Sequence, residues 1–297
     1  MGDEQPQPLL PQTTDKPSRL RQEMSCKLKR NVPFSTITRT QAPRDKNKDV
    51  LPEESLEKLV HFNSCAIVSS SHALRVHTYG QEIDSHDAVL RFNCAPTDKF
   101  EKFVGNRTDF RMINTLIPLR RCQSEFRSEN STVFKHGRLV IRNMDAINLT
   151  PRGLDVKRDI HHAFENWIKY RKIYPNWTFP FIQRPKFGQD LQAEVMRVCD
   201  TTRLCNKTTW SPSTGIFGVV MMMYLCDWVH VYEFVPSNRD NTTHVYYYDE
   251  NFVRPGGDRH SYNQERTYVK ALSLTPDTDI EDTGVVLLEG LSRIICD

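Results

Sequence analysis

From Leu51 onward, short apolar runs alternate with segments in which apolar residues recur every three or four positions. Short runs bounded by turn residues predict buried strands, and the longer spacing predicts helices with one face inward. The strand candidates are Cys65–Ser69, Ala88–Phe92, Phe110–Ile113, Leu139–Ile141, Pro180–Ile182, Trp228–Val235 and Val285–Leu288. Helical spacing covers His162–Tyr170, Leu191–Cys199 and Thr267–Leu274. Ser211–Cys226 opens with capping residues and continues apolar on every side, the pattern of a buried helix. Alternation of this kind predicts an α/β sheet with helices on both faces. Residues 1 to about 50 have few large apolar side chains and predict a flexible, stem-like segment with Cys26 tethered, ahead of a folded domain over 51–297.

Three of the early strands finish in a small polar residue: Ser69 or Ser70, Asn93 and Asn114. Open α/β sheets bind ligands outside the carboxyl ends of their strands. An Asn side chain there donates and accepts, which suits a ribose, a base edge or a sugar, although Asn and Ser also end strands as turn formers. Ser213, Thr214 and Gly215 would form the N-terminus of the apolar helix. Unpaired backbone N–H groups and the helix dipole favour an anion such as phosphate at that end. An ordinary capped core helix would begin the same way.

Composition narrows the classes. The chain has 297 residues, with a formal net charge of +3, and 38% of its residues are hydrophobic. That near-neutral balance disfavours a dedicated nucleic-acid binder. Eight cysteines, Cys26, Cys65, Cys94, Cys122, Cys199, Cys205, Cys226 and Cys296, contain no close CxxC pair. Zinc knuckles and dithiol redox sites need that spacing, whereas an even count of spread cysteines suits disulfides in an oxidising compartment. The alternative is eight buried thiols in a reducing one. Six Asn-x-Ser/Thr sequons, at Asn106, Asn130, Asn148, Asn176, Asn206 and Asn241, favour the secretory pathway. Yet the polar, Pro-rich start MGDEQPQPLLPQTTDKP is not a signal peptide, and Ile216–Leu225 is too short to span a bilayer.

Four segments taken in order resemble the motifs of animal sialyltransferases. Cys65-Ala-Ile-Val-Ser-Ser with Glu82 to Pro96 is similar to the large sialylmotif. Pro212-Ser-Thr-Gly-Ile-Phe-Gly through Tyr232-Glu-Phe is similar to the small one. Tyr246-Tyr-Tyr-Asp249 resembles the third motif, and His260-Ser-Tyr-Asn-Gln-Glu265 the very small one. Asp87–Pro96 and Tyr232–Ser237 most resemble the beta-galactoside alpha-2,6 group. The resemblance implies a single-domain, GT-A-like variant with a Rossmann-type, mostly parallel sheet, and an inverting transfer of sialic acid from CMP-sialic acid to the 6-hydroxyl of a terminal beta-galactose or N-acetylgalactosamine on glycoprotein glycans. It implies His260 as general base, with Ser70, Asn93, Asn114, Ser213, Thr214, Gly215 and Tyr246 holding the donor. Glu265 would orient the His260 loop or stabilise the first turn of the next helix.

The same resemblance implies no cofactor and no catalytic metal. Asp277-Thr-Asp279, the one Asp-x-Asp spelling, reads as a solvated loop. It also implies Cys65–Cys226 and Cys26–Cys296 disulfides. The other four cysteines are additions, and closure of short loops suggests Cys94–Cys122 and Cys199–Cys205. Family members are Golgi proteins with a single N-terminal membrane anchor. No such anchor is visible here, which reads as an anchorless or truncated form in the Golgi lumen, with secretion as the alternative. Leu116, where the alpha-2,6 group often carries Gln, and the poorly matching stretch 142–169 leave the acceptor sugar and linkage open. Another linkage, alpha-2,3 or alpha-2,8, and a silent CMP- or glycan-binding relative are the competing readings.

Overall fold

The computed structural model describes residues 19–41, 49, 51–114, 138–142, 147–150, 153–156, 180–202, 212–252, 260 and 262–297. The elements in chain order are α1 (Arg19–Asn31), α2 (Leu56–Leu59), β1 (Phe62–Val68), α3 (Gly80–Asp84), β2 (Ala88–Phe92), α4 (Glu101–Val104), β3 (Phe110–Asn114) and β4 (Arg138–Arg142). They continue with β5 (Ile147–Thr150), β6 (Gly153–Val156), β7 (Phe181–Ile182), α5 (Pro185–Thr202), α6 (Thr214–Leu225), β8 (Cys226–Tyr232), α7 (Tyr262–Leu272), α8 (Asp277–Thr283) and β9 (Val285–Glu289). Seven strands form one sheet in the order β7-β4-β3-β2-β1-β8-β9. Every neighbouring pair is parallel except β8 with β9. β5 and β6 pair antiparallel as a separate ribbon, which the sequence pattern did not predict.

Both faces of the sheet are covered, and the period-2 alternation of the strands divides their side chains between them. On one face Cys65, Ile67, Leu90 and Phe92 pack with residues of α1, α5, α6 and α7. On the other, Ala66, Val68 and Val89 pack with Leu74, Ile83, Val104 and Tyr247. This is why the central strands are apolar throughout rather than alternating. Helix α6 is buried along nearly its whole length. It approaches the sheet so closely that a Cβ at Gly218 would lie 2.4 Å from the Phe92 ring. Only a glycine fits there.

All seven predicted strands occur, with ends shifted by a few residues at most. Three expectations change. The strand expected to reach Val235 stops at Tyr232, because Glu233 turns into the left-handed region at φ 52°. Asp277-Thr-Asp279 is not a loop but the first turn of α8, where its carboxylates complement the helix dipole. Residues 19–41 lie within the segment read as a flexible stem, yet Met24, Leu28, Val32, Phe34 and Ile37 are buried. Helix α1 has low apolar content but buries Met24 and Leu28, one turn apart, and the Cys26–Cys296 disulfide fixes it to the C-terminus. The helix expected at His162–Tyr170 lies outside the described residues.

Candidate functional site

The sheet order contains a switch point. The chain runs from β1 outward through β2, β3 and β4 in one direction, then returns to place β8 on the other side of β1. In open α/β sheets ligands bind outside the carboxyl ends of the strands at such a point. The polar strand ends singled out in the sequence converge on this edge. Ser70 follows β1, Asn93 follows β2, and Asn114 is the last residue of β3.

Each is held by its surroundings. Asn93 lies at φ 49°, a left-handed conformation that Asn adopts more readily than most residues with a Cβ. Arg111 on β3 donates from Nη1 to the carbonyls of Asn93 at 2.9 Å and Ala95 at 3.1 Å, pinning the turn. Asn93 Oδ1 is buried with no hydrogen-bond partner among the described residues. A buried acceptor in that state awaits a donor. Tyr247 donates its N–H to the Ser70 carbonyl at 3.3 Å and its hydroxyl to the Pro96 carbonyl, which lays the Tyr246–Asp249 segment over the ends of β1 and β2. Tyr246 itself is half-buried, its ring parallel to that of Tyr248 with centroids 5.2 Å apart.

The N-terminus of α6 comes to the same edge. Ser213 is its N-cap and accepts from the Ile216 N–H at 3.3 Å. Arg142, the last residue of β4, donates from Nη1 to Thr214 Oγ1 at 3.4 Å. A Cβ at Gly215 would meet the Phe234 ring at 2.5 Å, so any other residue here must displace that ring. Glu265, fully buried in the first turn of α7, accepts the Ser213 N–H at 2.7 Å on Oε1 and the Ser213 hydroxyl on Oε2. The carboxylate thus fastens the start of α7 to the start of α6. His260 is half-buried two residues before α7, its ring centroid 5.8 Å from that of Tyr262.

Sequence reasoning assigned no role to one polar cluster at the end of β8. Glu233, at the end of β8, accepts from the Ser237 N–H and hydroxyl, both at 2.8 Å, and lies 3.2 Å from His77 Nε2. Burial pushes its carboxyl up to about 7, against the lowering effect of the Ser237 hydrogen bonds. Burial and Arg239 hold the His77 imidazole below its ordinary value. A carboxyl that binds its proton more tightly folded than unfolded contributes full stability below about pH 4.5, and that contribution is lost as pH rises through about 7. Glu233→Gln does not titrate. The melting temperature of this variant minus that of the wild type is therefore expected to rise between about pH 5 and about pH 8. A difference that stays flat across that range would contradict the assignment. Glu233 lies in the motif stretch Tyr232–Ser237, but the sequence pattern assigned it no role, because its partner His77 comes from the segment between β1 and α3.

The two disulfides implied by the resemblance are formed, Cys65–Cys226 and Cys26–Cys296. Cys94 and Cys199 are also disulfide-bonded, and the pairings expected for them, with Cys122 and Cys205, involve residues outside the described ones. Of the sequons, Asn106 and Asn241 are exposed, Asn148 lies in β5, and Asn130, Asn176 and Asn206 are outside the described residues. Among the described residues no cluster of three or more His, Cys, Asp or Glu is arranged to hold a metal ion, and no helix is long and apolar enough to cross a membrane.

The fold and site define an α/β protein whose polar strand ends lie on the carboxyl edge of the sheet, beside the N-terminus of a buried helix. The profile of glycosyltransferase family 29 (sialyltransferase) matches residues 13–275, and the chain belongs to that family. Its relatives include beta-galactoside alpha-2,6-sialyltransferase 2 of Takifugu rubripes, 31% identical over 300 residues, covering 95% of this chain and 52% of the relative. Beta-galactoside alpha-2,6-sialyltransferase 1 of Homo sapiens is 32% identical over 279 residues, covering 92% of this chain and 66% of the relative. The chain therefore spans between about half and two thirds of the length of these relatives. Two crystal structures of a mammalian sialyltransferase, one in complex with Gal-beta-1-3GalNAc-ortho-nitrophenol, align with 88% and 86% of this chain and 78% and 77% of theirs. Their identities are 22% and 20%, with TM-scores of 0.46 and 0.45.

Proposed function

We propose that this protein is an inverting, metal-independent glycosyltransferase that moves sialic acid from CMP-sialic acid to the 6-hydroxyl of a terminal beta-galactose on glycoprotein glycans. The observation that carries the reading is the Glu265–Ser213 clamp, which joins the start of α7, two residues after His260, to the N-terminus of α6. This clamp supports reading the expected base and the expected phosphate end as parts of one site. Family membership and the names of the alpha-2,6 relatives support the donor and the linkage.

The chemistry follows from those parts. The acceptor hydroxyl oxygen attacks the anomeric carbon of the sialyl group and forms the new glycosidic bond. The bond from that carbon to the phosphate oxygen breaks, and its electron pair leaves on CMP. The neutral His260 imidazole takes the hydroxyl proton as attack develops. Ser70, Asn93 and Asn114 at the strand ends bind the nucleotide, with Asn93 Oδ1 receiving a donor from it. Ser213, Thr214 and Gly215 at the start of α6 hold the phosphate, where the dipole opposes its developing charge, and the Tyr246 hydroxyl adds a donor. The disulfides favour an oxidising, secretory compartment such as the Golgi lumen.

The test is CMP release from CMP-sialic acid with N-acetyllactosamine and a panel of acceptors ending in galactose or N-acetylgalactosamine, with and without exhaustive chelation, followed by linkage analysis of the product. A chelator-insensitive alpha-2,6 product is expected. An alpha-2,3 or alpha-2,8 product would replace the linkage, strict dependence on Mn²⁺ would refute metal independence, and CMP binding without turnover on any acceptor would favour a silent relative.

A further inference from the structure

We propose that His72 is a positioning residue whose imidazole latches the segment 240–250 and so sets Tyr246 for the donor phosphate, a role that rests on the reading of the site as a CMP-sugar transferase. Segment 240–250 forms no helix and no extended strand, so its path is set by what it touches. Its middle pairs with the chain leaving β1. Ser71 bridges to Tyr246, His72 donates its N–H to the Val245 carbonyl at 3.2 Å, and the Tyr247 N–H reaches the Ser70 carbonyl at 3.3 Å. A pairing this short is marginal by itself. Side chains of the helical turn His72–Val76 clasp both ends of the segment. Arg75 pairs with Glu250 at one end, an exposed contact of small worth. At the other end His72 Nδ1 lies 3.1 Å from Asp240 Oδ2 and 3.0 Å from Thr242 Oγ1.

The chemistry of that end fixes the tautomer. An ionised carboxylate only accepts hydrogen bonds. Asp240 Oδ1 receives the Thr242 N–H at 3.0 Å and the Thr242 hydroxyl at 2.8 Å. Burial raises the Asp240 carboxyl, but the hydrogen bonds from Thr242 and His72 outweigh it and hold the group below its ordinary value. With the Thr242 proton committed to Asp240, His72 carries a proton on Nδ1 and donates it to both. The His72 and Asp240 side chains are only 10% and 11% exposed, so water competes little for this charge-assisted bond. The His72 ring also lies 4.9 Å from that of His244, whose Nδ1 is 3.0 Å from the Glu250 carbonyl. Tyr246 thus sits in the chain between two anchors. Tyr247, buried with its hydroxyl on the Pro96 carbonyl, holds one side, and His72 holds the other. Without the imidazole bond one anchor is lost. The conformation that sets Tyr246 over the strand ends is then populated less, and CMP affinity falls with that fraction.

The experiment measures binding of CMP and of cytidine, which lacks the phosphate, by calorimetry, with melting curves for each protein. The proteins are wild type, His72→Phe, His72→Asn, Asp240→Ala, Tyr246→Phe and the double variant His72→Phe with Tyr246→Phe. His72→Phe keeps a ring but cannot donate, and is expected to lose about tenfold in CMP affinity with cytidine affinity unchanged. Asp240→Ala removes the charged acceptor and is expected to lose similarly. Asn carries an N–H donor on the same Cγ as Nδ1, so His72→Asn is expected to recover most of the loss. Tyr246→Phe is expected to weaken CMP binding alone, and to cost little more when combined with His72→Phe. Equal losses for CMP and cytidine, full additivity with Tyr246→Phe, or a lowered melting temperature with wild-type CMP affinity overturn the role of His72. Should His72→Phe fail to melt cooperatively, Asp240→Ala decides by the same comparison. A wild-type protein that binds no CMP overturns the CMP-sugar reading itself, independently of His72.

Discussion

His260→Ala is expected to lower sialyl transfer by about two to four orders of magnitude, the usual contribution of a positioned general base, while leaving CMP binding close to wild type. The split between the two readouts matters. A sugar hydroxyl is a weak nucleophile, and removing its proton during attack is where an imidazole acts. The donor's phosphate and nucleotide are assigned to other groups, at the strand ends and the start of α6. Loss of turnover with retained CMP affinity therefore identifies a group acting on the acceptor proton. Near-normal turnover would remove His260 as base. Loss of CMP affinity in parallel with turnover would instead make it part of the donor site or of the fold. His260 stands just ahead of α7, whose first turn is tied to Ser213 through the buried Glu265. This links the position of the proposed base to the start of α6 through Glu265.

Replacing Cys65 and Cys226 together by Ala is expected to destabilise the domain by about 2–5 kcal/mol, as removal of a native disulfide does in small secreted domains. The pair is separated by 161 residues in sequence. Cross-linking so long a loop restricts the unfolded chain strongly, since closure entropy grows with loop length. In the folded state the bond fastens β1 to the junction where α6 passes directly into β8, so it lies between the strands flanking the switch point. Both sulfurs are fully buried, and two alanines leave a small apolar cavity that adds to the cost. Denaturant unfolding of the double variant would measure it. A midpoint within error of wild type would show that the β1–β8 pairing alone holds the switch point closed.

Much of the strand and helix content was legible because those signals are local. A run such as Ala88–Phe92 is apolar and bounded by turn residues whatever it packs against, and the apolar length of α6 announces burial on all sides. Glu233 shows where local signals stop: the apolar stretch beyond Tyr232 looks like more strand, and only the Ser237, His77 and Gly284 neighbourhood turns the chain there. Helix α1 shows the converse. Its composition is that of a solvated tail, and a few apolar residues on one face suffice once α5 and α7 provide a surface.

The sequence by itself determined the α/β class, the polar strand ends, the helix start at Ser213 and the family. Only the tertiary structure decided which groups meet: Ser213 with Glu265 across 52 residues, Thr214 with Arg142 across 72, and Glu233 with His77. Hydrophobic periodicity and capping depend on neighbours a few positions away. These contacts depend on the order of strands in the sheet, which returns the chain to β1 after β7 and brings distant segments to one edge.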